Sequence, residues 1–225
     1  MVIDILTLFP EMFNSFLSYS IVKRAIDKGL LKVNLVNFRD FSTDPHGSVD
    51  DIPYGGGCGM VLKVQPIYDA VNSILKEDND AKVILLSPDG ACYKQKDAYA
   101  LKEFKHLIII CGHYEGFDER IKSIVDFNIS IGDFILTGGE IPSMIIVDTV
   151  ARLIDGVINE ESHLNDSFNM QDGLLDYPTY TKPREFNGMK VPDVLLSGNH
   201  EEIRKYRYEE SLKKTKELRP DLLEK

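Results

Sequence analysis

The chain has 225 residues, 43% of them hydrophobic and 28% charged, which is enough apolar material for one large domain or two unequal ones. Its net charge of −10 excludes a surface built wholesale for nucleic acid, because phosphate attraction shows as a basic excess. Three widely spaced cysteines, Cys58, Cys92 and Cys111, without a Cys-x-x-Cys pair, support neither a disulfide framework nor a zinc site. In chain order, Val2–Leu8 alternates as a strand, with Asp4 inside its apolar run and no basic leader before it. A cytoplasmic protein with no membrane span is therefore expected. Pro10-Glu11 opens a helical pattern through Phe13, Phe16 and Leu17, a second helix covers about Ile21–Lys28 and stops at Gly29, and Leu31–Asn37 forms another strand. Arg39–Met60 has no period and is expected to be a long irregular loop, carrying His46, Asp50-Asp51 and the cluster Gly55–Gly59.

Beyond it, helices at Pro66–Lys76, Lys94–Phe104, Asp118–Val125 and Pro142–Ile154 alternate with β-branched runs at Val83–Leu86, Leu107–Ile110 and Asn128–Ile131. That alternation predicts a parallel, layered α/β domain over residues 1–158. Asn159–Gly173 is polar and aperiodic, so residues 159–172 are expected to be a linker. Residues 173–225 are expected to form a small helical second domain around an amphipathic helix at His200–Leu218, with Ile203, Tyr206 and Leu212 on its apolar side. The charge is uneven: Met1–Tyr177 holds 15 Lys+Arg against 27 Asp+Glu, Pro178–Lys225 holds 11 against 9. A polyanion is least repelled by the second part.

Each of three strands ends in a glycine-containing turn: Ser87–Gly90, Gly112–Gly116 and Gly132–Gly139. Ligands of parallel α/β sheets bind beyond the carboxyl ends of the strands, and glycine lets backbone approach them, so the three turns point to one cofactor pocket. Other motifs are weak. Gly55–Gly59 lacks the phosphate-loop spacing and a preceding strand, so a mobile or nucleic-acid-clasping loop is the better expectation; the dinucleotide fingerprint is absent; His200-Glu201 lacks a second histidine. Glu115 could cap the helix after Gly116, Asp148 one turn before Arg152 could explain that arginine as a surface ion pair, and Asp166 alone would pass as a loop acid.

Taken together, Asp50–Gly57 (DDIPYGGG), Leu86–Gly90 (LSPDG), Cys111–Arg120 (CGHYEGFDER), Ser130–Glu140 (SIGDFILTGGE), Gly173–Pro178 (GLLDYP) and Leu195–His200 (LLSGNH) closely resemble the bacterial tRNA (guanine-N1)-methyltransferases. The resemblance runs from the first strand to Leu223. It implies the SPOUT class: a parallel-sheet α/β domain with a deep trefoil knot, plus the small helical C-terminal domain binding tRNA at its anticodon stem-loop. It further implies a homodimer, methylation of the guanosine immediately 3′ of the anticodon, and S-adenosylmethionine as methyl donor. By the same resemblance the donor lies against Leu86, Ser87 and Pro88, against Gly112, Tyr114 and Glu115, and against Ile131, Gly132, Leu136, Gly138 and Gly139. Asp166 matches the family's general base for guanine N1, and Arg152 the cation that stabilises charge on O6. Magnesium dependence is implied too, although no acidic cluster marks a metal site. His113 stands where the family usually carries arginine, and Asp89 where it carries glutamine. The alternatives are a SPOUT methyltransferase acting on another RNA and a non-catalytic RNA-binding module; retention of Asp166, Arg152 and all three pocket turns disfavours the latter.

Overall fold

The computed structural model describes residues 1–159, 166–169 and 172–224, which form two compact units, Met1–Ile158 and Asn159–Lys225. In the first, five parallel strands make one sheet: β1 (Val2–Thr7), β2 (Lys32–Asn37), β5 (Lys82–Cys92), β6 (His106–Ile110) and β7 (Phe127–Ser130), in the order β2-β1-β6-β5-β7. Successive side chains of a strand point to opposite faces. Ile3, Ile5, Ile84, Leu107 and Ile109 accordingly enter one core with α1 (Asn14–Leu17), α2 (Ser20–Asp27), α4 (Gln95–Leu101) and α5 (Glu140–Ala151). Leu6, Val83, Leu85, Ile108 and Ile110 enter the other with α3 (Val64–Leu75). Burial on both faces is why β6 and the first part of β5 hold unbroken apolar runs, Leu107–Ile110 and Val83–Leu86. Truncating one such residue to alanine, Ile108 for instance, costs about 2–5 kcal/mol.

The single acid in β1 is accounted for. Asp4 is 5% exposed, faces Asn34 across the β1–β2 pair, and accepts from its amide. His106 Nε2 lies 2.8 Å from its other oxygen, and His106 Nδ1 lies 3.0 Å from Asp78. A buried carboxylate so bonded avoids most of its desolvation penalty.

Four expectations are corrected. The Arg39–Met60 segment is not wholly irregular: a 3-10 turn (Phe38–Phe41) covers its first residues, and its β3 (Asp50–Asp51) pairs antiparallel with β4 (Val61–Leu62), anchored by buried Val49 and Leu62. The expected helix at Asp118–Val125 is a 3-10 turn, Glu119–Ile124, because Asp118 caps it and Val125 is already extended. The strand expected to end at Leu86 resumes after the Ser87–Gly90 excursion, so that both Leu86 and Ala91 pair with Ile129. A side chain at Gly90 would stand 2.5 Å from the Ile129 backbone, so only glycine lets the excursion close.

In the second unit, α6 (His200–Leu218) starts at Asn199, whose side chain accepts from the amides of Glu201 and Glu202. The fourth correction lies before it. A hairpin of β8 (Glu185–Phe186) and β9 (Met189–Lys190) turns on Asn187-Gly188, both at positive φ, so this unit is not helical throughout. The segment at Leu174–Asp176 is strapped to α6: the Leu175 amide donates to Thr215 Oγ1 (3.0 Å), Ser211 donates to the Leu175 carbonyl, and Lys214 Nζ reaches Asp176 at 2.8 Å. No helix of the described residues is long and apolar enough to cross a membrane.

Candidate active site

The excursion within β5 and the turns after β6 and β7, three strands adjacent in the sheet, enclose a cavity of about 390 Å³. Leu86, Ser87 and Pro88 line it from the β5 excursion, and Gly112, Tyr114 and Glu115 from the segment after β6. Ile131, Gly132, Leu136, Gly138 and Gly139 line it from the segment joining β7 to α5. All eleven residues expected around a cofactor thus border one space, within the roughly 300–1,000 Å³ of small-molecule sites. Tyr114 holds φ +59, a conformation that non-glycine residues avoid and that concentrates at ligand sites.

The glycines act less by approaching a ligand than by closing the protein on itself. A side chain at Gly139 would stand 2.6 Å from Cys111 Cα, so its absence seats the start of α5 against the end of β6, where the Gly139 amide donates to the Gly112 carbonyl at 2.8 Å. At Gly112 and Gly132 the missing Cβ makes room for the rings of Phe117 and Phe134. Cys111, beneath this junction, is fully buried; burial and the neighbouring Glu140 push its thiol well above the ordinary range, which removes it as a nucleophile. Glu140 itself is buried and accepts from Thr7 Oγ1 at 2.8 Å.

Glu115 does not cap a helix; that role belongs to Asp118, which accepts from the Arg120 amide. The Glu115 amide instead donates to Met60 (3.0 Å), and Leu62 and Gly116 are bonded at 2.9 Å, so β4 and the end of the glycine cluster dock on the cavity wall. A side chain at Gly59 would collide with that of Glu115.

Sequence reasoning gave several wall residues no role. Asp89 accepts from Lys122, Ser87 and Asn128 (3.0 Å), and these bonds, Lys122 foremost, hold its carboxyl far below the usual range. They brace the β5 excursion against β7 and the 3-10 turn. The exposed run Phe134-Ile135 carried a visible signal, an apolar pair in a polar loop. His113 lies between Phe9 and Tyr114, with ring centres 4.9 and 5.0 Å away, tilted to the first and edge-on to the second, and its buried Nδ1 has no hydrogen-bond partner among the described residues.

Arg152 is half-buried at the carboxyl end of α5, its amide bonded to the Asp148 carbonyl. Asp166 belongs to the second unit, beside Ser167, whose hydroxyl lies 3.1 Å from Asp176. Residues 160–165, part of the expected linker and directly before Asp166, lie outside the described residues. Among the described residues no group of three His, Cys, Asp or Glu side chains is placed to hold a metal ion.

A parallel sheet with a ligand cavity at the carboxyl ends of adjacent strands defines an α/β enzyme acting with a small-molecule cofactor. The sequence model described as "tRNA (Guanine-1)-methyltransferase TrmD" matches residues 1–225. The chain belongs to that family of methyltransferases. It is similar to proteins named tRNA (guanine-N(1)-)-methyltransferase from Dictyoglomus turgidum, 58% identical over 99% of this chain and 90% of the relative. Those from Malacoplasma penetrans (56%, 99% and 96%) and Geobacillus kaustophilus (55%, 99% and 91%) are similar to it as well.

Proposed function

We propose that the chain transfers a methyl group from S-adenosylmethionine to N1 of the guanosine immediately 3′ of the anticodon in tRNA, in the cytoplasm. The observation that carries this reading is the gathering of all eleven expected cofactor residues around one cavity, in a chain matched by the family over its whole length. The cavity suits the donor: apolar Leu86, Leu136 and Pro142 for a base, backbone polar groups of the glycine turns for its edges. When bound, the donor supplies an electrophilic methyl on a sulfonium.

Guanine N1 bears a proton at neutral pH, so Asp166 takes that proton, and the electron pair left on N1 forms the new N–C bond as the methyl's bond to sulfur breaks, its electrons staying on the sulfur. Arg152 stabilises the charge that spreads to O6. Residues 1–158 are the donor-binding domain with the SPOUT trefoil knot, 159–172 the linker, and 173–225 the domain that holds the anticodon stem-loop. Two chains form the working unit; in support, Met12, Ile141 and Ile145 leave apolar surface exposed on the first unit. For the magnesium that the resemblance implies, the described residues supply no group of three His, Cys, Asp or Glu side chains. The test is methyl transfer to tRNA transcripts carrying guanosine or adenosine 3′ of the anticodon. Transfer to the guanosine transcript alone is expected; equal transfer to both, or to neither, overturns the reading.

A further inference from the structure

The second unit contains a cavity of about 500 Å³ formed wholly by its own residues. Its floor is apolar, with half-buried Val191, Leu195 and Ile203. Tyr177 and Tyr180 stand at its wall, and the guanidinium carbon of Arg207 lies 4.7 Å from the centre of the Tyr177 ring. The lining also takes in Lys182 and Arg184 and includes no Asp or Glu. Among the described residues none of the three cations is ion-paired, and Glu185, next in the chain, faces Lys190 at 3.7 Å. In a chain of net charge −10, an acid-free concavity with two aromatic rings and three cations that form no ion pair among the described residues has a specific chemistry. Cations hold phosphate oxygens, while aromatic rings and guanidinium planes stack unpaired bases of any sequence. An acidic peptide would use the cations but not the flat apolar floor.

We propose that this cavity takes one unstacked nucleotide of the RNA substrate, its base against the Tyr177–Arg207 pair and its phosphate on Arg184 and Lys182. The proposal rests on the RNA-methylating function above and adds a second, non-reacting point of substrate recognition.

The test uses a tRNA transcript with guanosine 3′ of the anticodon, its binding read by fluorescence anisotropy and its turnover by KM. Arg207→Gln and Arg184→Gln change exposed side chains. Each is expected to weaken transcript binding and raise KM for tRNA about tenfold, Arg207→Gln through the lost stacking face and Arg184→Gln through the lost phosphate contact. Affinity for S-adenosylmethionine, measured by calorimetry, should stay within about twofold. Arg207→Lys keeps the charge without the planar face and should recover little. Full recovery with lysine would reveal an anion site only and overturn the nucleotide claim, as would unchanged binding in both glutamine variants. Wild-type chain that binds the transcript yet transfers no methyl would instead overturn the proposed reaction, and the glutamine variants would still decide the cavity.

Discussion

Asp166→Asn preserves the size of the side chain and removes its capacity to take a proton. Single-turnover methyl transfer should fall about a hundredfold to ten-thousandfold, with donor affinity unchanged. A rate within a few-fold of wild type would rule out the base. Asp89 allows a pH test. Its carboxyl is depressed by Lys122, Ser87 and Asn128, so its contribution to stability is present above the unfolded value of about 4 and is lost as pH falls through the lower folded value. Asp89→Asn should therefore lower Tm at neutral pH, and the gap from wild type should narrow steadily below about pH 4. A gap independent of pH would mean that shape rather than charge braces the turn. Both residues were named from the sequence, but only Asp166 with a role. The partners of Asp89 come from two other elements, and no local spacing reveals them.

The elements were legible wherever burial imposed a period. Ile3, Ile5 and Leu107 to Ile110 betrayed their strands because both faces of the sheet are covered, and the glycine turns marked where those strands end. Two-residue ribbons such as β3–β4 have no period to read. The hairpin at Asn187-Gly188 did carry its turn signal, but flanking strands of two residues hid it. The strap onto α6 was equally invisible, since Ser211 and Thr215 are polar residues buried by bonds to the Leu175 backbone. That strap has a consequence for the candidate base. Lys214 holds Asp176 below the usual carboxylate range, and the Asp176 amide donates to Ser167 Oγ (3.0 Å), the residue after Asp166. Lys214→Met is expected to lower kcat several-fold without changing donor affinity, and Lys214→Arg to restore most of it. A change in Tm with kcat preserved would confine Lys214 to stability.

At the scale of the molecule, we propose that the dimer's active sites are composite, the cavity of one chain working with Asp166 of the other, and this predicts complementation between chains. Gly139→Val is a poor choice of donor-blocked chain, because its side chain would strike Cys111 and disturb the β6–α5 junction. Leu136→Arg, on a cavity residue that is 37% exposed, should block the donor and leave the fold intact. Mixing it with Asp166→Asn chains should restore part of the activity, since one hybrid site combines an intact cavity with an intact base. No recovery after verified heterodimer formation would show that each chain supplies its whole site, and a monomer by light scattering would dismiss the dimer.

The order β2-β1-β6-β5-β7 also sets a timetable for biogenesis. β1 leaves the ribosome first, with β2 soon beside it, yet its other edge waits for β6, roughly a hundred residues later. At about 5–20 residues per second the nascent chain carries that bare, apolar edge for about 5–20 s. Pairing so distant in sequence is slow to nucleate even then. The first half of this protein is accordingly the part most exposed to chaperones, and to aggregation, before the second half has been made.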